Sequence, residues 1–268
     1  MIKKEKASVK KYIWDFLDSN MYVFWEADHV LVIDPVDLEA VFERFVNAAS
    51  VTVFLTHEHF DHICGLNKLR SLCRWRFDSK IKNSSESFCF NGNPGNLSPK
   101  NNAIDEIVQC KSESENEKAI CRVIASEICS ERIKDTKSNL SEYADVLAEL
   151  SGRQIPKHWH PFSCEAADIS FNRYKSFHWL HHSVELFYTP GHSYGSSCLL
   201  LDDMLFVGDT ILENGLMVKF PGSSKKMYRN VTVPLLEQLL ASGKVSFVYP
   251  GHGNVLSQVE ALRLIKSV

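Results

Sequence analysis

The seven residues Thr56-His57-Glu58-His59-Phe60-Asp61-His62 set three imidazoles and the Asp61 carboxylate directly behind a short apolar run, residues 51–55. Imidazole nitrogen and carboxylate oxygen are the donors that suit zinc and iron(II). His57 and His59 are two apart, so on an extended chain they project to the same side and can reach one ion from a strand end. Asp61 and His62 then open the next helix and point at a second position beside the first. A loop in which histidines cluster without a role is the poorer reading of so dense a group. A serine nucleophile of the Ser-His-Asp kind is not expected.

Such donors need a rigid frame. Met21–Trp25 and Val30–Ile33 read as a hairpin, followed by a helix that Asp37 can cap, with Leu38, Val41, Phe42, Phe45 and Val46 on one face. Residues 51–55 are wholly apolar or β-branched, the pattern of a strand buried on both faces. Further strands are expected at 122–125, 184–189, 197–201, 204–207 and 245–249. Helices are expected near 126–134, 138–150, 233–240 and 255–266. Alternating strands and helices imply a layered α/β domain over residues 1–268. From Asn83 to Asn102, 14 of 20 residues are Asn, Ser, Gly or Pro. That composition cannot bury enough apolar surface to offset its ordering entropy, so a polar insertion is expected at about 80–119.

The bulk properties exclude some classes. A formal charge of -3 gives no general bias toward nucleic acid, and no partner of that kind is expected. Lys3, Lys4, Lys6, Lys10 and Lys11 read as a solvated, frayed terminus. No stretch approaches the roughly 20 apolar residues of a membrane span, and none is expected. The eight cysteines are scattered, without a C-x-x-C pair and without a secretory signal, so free thiols and a cytoplasmic location are expected.

The H-x-H-x-D-H run resembles the signature of the metallo-β-lactamase superfamily, and motifs similar to that family's later segments follow in order. They are Thr189-Pro190-Gly191-His192-Ser193, Phe206-Val207-Gly208-Asp209-Thr210 and Tyr249-Pro250-Gly251-His252-Gly253, with Val32-Ile33-Asp34-Pro35 ahead of them. The resemblance implies an αββα sandwich with two divalent metal ions, zinc first and iron or manganese as alternatives. It implies that His57, His59 and His192 hold one ion, that Asp61, His62 and His252 hold the other, and that Asp209 bridges both. Asp34 would support the site without binding metal. A hydroxide generated between the ions would attack an electrophilic carbonyl, and Asp61 would act catalytically by orienting it or by passing a proton to the leaving group.

The stretch from Pro190 to Gly253 looks most like the glyoxalase II-like branch, which hydrolyses thioesters. The chain ends 16 residues after His252, too soon for that branch's helical glutathione-holding domain. A small-molecule thioester or ester is therefore the expected substrate. The alternatives are a lactone, or a persulfide oxidised at a mononuclear iron held by His57, His192 and Asp209 alone. His158, His160, His178, His181 and His182 read as surface or supporting groups, and Phe60 and Tyr194 as walls of the substrate pocket.

Overall fold

The computed structural model describes residues 8–36, 38–74, 120–216, 218 and 220–266. Asp37 and the insertion expected at about 80–119 lie outside the described residues. Two six-stranded sheets form the body. The first contains β1 (Ser8–Trp14), β2 (Ser19–Glu26), β3 (His29–Ile33), β4 (Ser50–Phe54), β5 (Ile120–Ser126) and β6 (Ile169–Phe171), paired in that order. The second runs β12-β11-β10-β9-β8-β7, from β7 (Tyr174–Trp179), β8 (His182–Tyr188), β9 (Ser197–Leu201), β10 (Met204–Gly208), β11 (Phe247–Pro250) and β12 (Leu256–Ser257).

Two-residue alternation along the strands builds three apolar layers. Tyr22, Phe24, Leu31, Ile33 and Phe54 of the first sheet face Leu186, Leu199, Leu201 and Phe206 of the second, and this seam is the central core. The intervening residues Met21, Val23, Val30, Val32, Val51 and Val53 turn outward. They meet Phe45 of α1 (Phe42–Asn47), Leu66 and Leu69 of α3 (helical over 66–74) and Cys129 of α4 (Glu127–Arg132). On the other side Cys198, Leu200, Leu205 and Val207 meet Leu236, Leu239 and Leu240 of α7 (Val233–Ala241) and Ala261 and Ile265 of α8 (Gln258–Lys266). The result is helix, sheet, sheet, helix: the αββα sandwich.

Strand direction decides where loops converge. β3, β4 and β5 are mutually parallel, as are β10 and β11. β8 and β10 both run antiparallel to β9, so β8, β10 and β11 end at one edge. The start of β2 reaches the same edge, where Ser19 bridges to His252.

Several elements differ from the expected ones. Lys10 and Lys11 belong to β1, which pairs along its length with β2, so this part of the terminus is a sheet edge and not a frayed tail. The helix after Asp34 is shorter, a 3₁₀ turn at Glu39–Val41 followed by α1; Phe42 is exposed. The helix expected at 138–150 is a 3₁₀ turn at Ser141–Tyr143 leading into α5 (Ala144–Ser151), which ends on Gly152 in the left-handed conformation. The helix expected from 233 begins at Lys225, as α6 (Lys225–Met227), and passes through a π-helical stretch, Tyr228–Thr232, before α7. Two buried anchors sit in that stretch: Tyr228 Oη donates to Thr210 O at 2.9 Å and Thr232 Oγ1 to Pro190 O at 2.6 Å. Both acceptors lie beside donor loops, and π segments recur at such places.

Candidate metal centre

At the end of β3, Asp34 takes a positive φ of 55° and turns its carboxylate under the loop that leaves β4. Its Oδ1 accepts Thr56 N at 2.8 Å, and its Oδ2 accepts Thr56 Oγ1 at 2.7 Å and His62 Nδ1 at 3.1 Å. Because the Thr56 hydroxyl donates to Asp34, it must accept from His57 Nδ1, 3.0 Å away. Hydrogen bonding thus places a proton on Nδ1 of both rings and turns Nε2 of His57 and of His62 toward the centre. His59 precedes α2 (Phe60–Ile63), and Asp61 and His62 lie inside it, as the spacing predicts.

The second sheet supplies the other donors just past β8, β10 and β11: His192, Asp209 and His252. His192 Nε2 stands 3.0 Å from His59 Nδ1, and His57, His59 and His192 form one compact trio. Asp61, His62 and His252 form another. His252 Nε2 lies 3.4 Å from Asp61 Oδ2 and 3.4 Å from His62 Nε2. Asp209 stands between the trios, with Oδ1 3.4 Å from His62 Nε2 and Oδ2 3.5 Å from His192 Nε2 and 3.4 Å from His252 Nε2. Gly251 makes that position possible, since a Cβ there would come within 2.2 Å of Asp209 Oδ1. Tyr22 Oη and Asn20 Nδ2 pin the Pro250 carbonyl at 2.7 and 3.0 Å, fixing the loop that carries His252.

The separations of 3.4–3.5 Å among Asp61, His62, His192, Asp209 and His252 suit donors that share cations, whereas the 3.0 Å between His192 and His59 is hydrogen-bond distance. Donors sharing a tetrahedral ion at about 2.0–2.2 Å lie about 3.3–3.6 Å from one another, longer than most hydrogen bonds between the same atoms. Nε2 of His57 and Oδ1 of Asp209 are buried without a hydrogen-bond partner, a costly arrangement unless something electropositive satisfies them. Burial and the surrounding imidazoles push the pKa of His57 well down, and burial and His192 do so for His59, so both rings are neutral, the ligand form. Burial opposes charge on His62, but Asp61, Asp209 and Asp34 outweigh it and raise its pKa to about 9. Burial likewise opposes charge on Asp209, yet His252 and His62 hold its carboxyl well below the usual range. A cation binding here would replace those ring protons.

Several supporting residues escaped the sequence reading. Glu58, between the first two histidines, is fully buried and points away from them. It accepts Arg132 Nε at 2.6 Å and Ser193 Oγ at 2.8 Å, tying α4 and the His192 loop to the motif. The signal was the alternation of the H-x-H run itself, which turns residue 58 to the opposite side. Gly191-His192-Ser193-Tyr194-Gly195 has the G-x-S-x-G spacing of a nucleophile elbow, so Ser193 must be accounted for. Its hydroxyl is buried, donates to Glu58 and shares a hydrogen bond with Ser196 Oγ at 2.9 Å. That is a structural role, and no serine nucleophile forms there.

Phe60 and Tyr194 do not line the cleft above the donors. Phe60 is fully buried among Phe16, Trp14 and Trp159, and Tyr194 lies on the Arg132 guanidinium. Phe220 takes the wall position instead, its ring 5.8 Å from that of His59. His158, His160 and His178 are exposed. His181 and His182 pair with Glu26, at the far end of β2 from Ser19 and about 23 Å away at 3.3 Å per residue.

The sequence profile described as Metallo-beta-lactamase superfamily matches residues 14–76. A probable metallo-hydrolase of Methanocaldococcus jannaschii is 33% identical over 75 residues, covering 28% of this chain and 36% of that protein. A hydroxyacylglutathione hydrolase of Shewanella loihica is 29% identical over 93 residues, 35% of this chain and 32% of that protein. The matched segments thus span about a third of the length of these curated relatives. Among solved structures, the B3 metallo-beta-lactamase BLEG-1 superposes with a TM-score of 0.60 at 19% identity, covering 96% of this chain and 97% of that one. The fold is that of the metallo-β-lactamase superfamily.

Proposed function

We propose that this chain, which carries the metallo-β-lactamase fold and the superfamily's N-terminal sequence match, is a binuclear metal-dependent hydrolase of small-molecule thioesters or esters. The observation that carries the reading is the convergence of seven donors from both sheets into two trios with the Asp209 carboxylate between them. His57, His59 and His192 would hold one ion and Asp61, His62 and His252 the other, with the Asp209 carboxylate within reach of both trios. Two divalent ions, zinc by preference, with iron or manganese suited to the same nitrogen and oxygen donors, would bring a shared water toward hydroxide near neutral pH and polarise a carbonyl. Asp61 lies at the floor of the cleft with Oδ2 accepting from Ser19 Oγ at 3.0 Å. From there it can take a proton from the attacking water and return it to the leaving group. The whole chain acts as one domain bearing the insertion at about 80–119. Among the described residues Cys64, Cys129, Cys164 and Cys198 stand outside any disulfide, in keeping with a reducing compartment, the cytoplasm. Among the described residues no helix is long and apolar enough to cross a membrane.

The His252→Ala variant tests this reading against a mononuclear iron dioxygenase. Elemental analysis of the parent chain should give two ions, and the variant should lose one selectively. Hydrolysis of a thioester or lactone should fall at least tenfold, equivalent to about 1.4 kcal/mol of transition-state stabilisation. A parent with one iron, and a variant that keeps that iron and its oxygen uptake with a persulfide, would overturn the proposal.

A further inference from the structure

The donors form the floor of a cleft of about 1100 Å³, and one wall of it is α5 together with the turn that precedes it. Tyr143, Val146, Leu147 and Leu150 line that wall at i, i+3, i+4 and i+7, the spacing of the apolar stripe that usually faces a protein core. Here the stripe faces the cleft: Val146 is 49% and Leu150 78% exposed. The core side of α5 is held by the small residues Ala144 and Ala148, which cluster with Phe16, Phe60 and Trp159, and by the inner part of Leu147. Ile13 and Leu17 stand among the other lining residues, and Leu212, Phe220 and Pro221 continue the apolar surface toward the donors. The aromatic cluster behind the wall, with Phe60 and Trp159 ring centres 5.1 Å apart, keeps it rigid.

We infer that this wall receives a long linear acyl chain, and that the substrate is a fatty acyl ester or thioester whose carbonyl lies over the metal donors. The inference rests on the hydrolase reading and narrows its substrate. The cavity slightly exceeds the roughly 300–1,000 Å³ usual for small-molecule sites, so an acyl group of two or three carbons would leave most of the wall in water. The stripe extends about 10 Å along the helix axis, the reach of roughly eight methylenes. Continuity decides the occupant: the apolar wall and Asp61, His192, Asp209 and His252 share one cavity, so a chain lying on the wall ends at the donors. In the reaction the water oxygen forms a bond to the acyl carbon and the bond to the ester oxygen or thioester sulfur breaks. The proton from water leaves with the alcohol or thiol.

The experiment combines hydrolysis of p-nitrophenyl esters from acetyl to dodecanoyl with calorimetric binding of decanoate to the metal-loaded chain. The value of kcat/KM should rise by up to about fourfold per methylene and then level off, and decanoate should bind where acetate does not. The double variant Val146→Glu, Leu150→Glu changes two side chains that are half or more exposed. It should lower the decanoyl-to-acetyl ratio and the decanoate affinity at least tenfold each. Acetyl ester hydrolysis with a flat chain-length profile would overturn the acyl-chain inference and leave the hydrolase standing. Decanoate binding that responds to the double variant, with no ester or thioester cleaved, would uphold the apolar site and overturn the hydrolase. Decanoate binding only after excision of residues 80–119 would make this chain itself the occupant and overturn the inference.

Discussion

Asp34 illustrates how one carboxylate orients two imidazole rings, one directly and one through a hydroxyl. It fixes His62 directly and His57 through the Thr56 hydroxyl, so each turns its Nε2 to the centre. Replacing it by asparagine keeps the shape but removes an acceptor and introduces a donor opposite Thr56 Oγ1 or His62 Nδ1. Asp34→Asn should weaken zinc binding by about 10- to 100-fold, measured by competition with a chelator of known affinity. An affinity within a factor of two of the parent would mean that the network does not orient the rings.

The turns that end the strands carry equal weight at the scale of elements. Gly208 closes β10 with φ at 50°, and a Cβ there would stand 2.3 Å from Thr56 Oγ1. Gly152, at the end of α5, has φ at 67° with nothing within 4 Å of the same position. Both glycines pay a conformational penalty on substitution, but only Gly208 also meets a neighbour in the Asp34-Thr56-His57 chain. Gly152→Ala should cost about 1 kcal/mol in urea unfolding. Gly208→Ala should cost distinctly more, on the order of 3 kcal/mol, and should also lower metal content. Equal losses in the two variants would show that contact with Thr56 is unimportant.

For the whole molecule, the division of donors between sheets has an energetic consequence. His57, His59, Asp61 and His62 leave the first sheet, whereas His192, Asp209 and His252 leave the second. On the proposed reading, ions held by both groups would staple the sheets together in the folded state only, so their removal should lower stability. At free metal a hundredfold above Kd the effect of one site is about 2.7 kcal/mol. For a chain of this size that corresponds to roughly 5–10 °C in Tm. Thermal unfolding with and without a chelator should show that drop, with recovery on adding zinc. A Tm indifferent to chelation, in protein shown to have lost its metal, would contradict a centre shared between the sheets.

The H-x-H-x-D-H run, the strand in front of it and the alternation of buried residues were legible because they depend on local spacing, which survives without knowledge of the fold. His192, Asp209 and His252 were legible only through the resemblance of their segments, since nothing in their spacing relates residue 192 to residue 57. Tertiary structure alone decided that Glu58 and Arg132 brace the motif, and that Phe60 lies behind the wall while Phe220 lines it. It also decided that Lys10 and Lys11 belong to an edge strand, because pairing with β2 outweighs a composition that reads as a solvated tail. A helix near 138–150 was legible, but that its apolar stripe faces a cleft could not be read. Periodicity reports that one face of a helix is apolar, and only packing determines whether that face meets the core or a ligand.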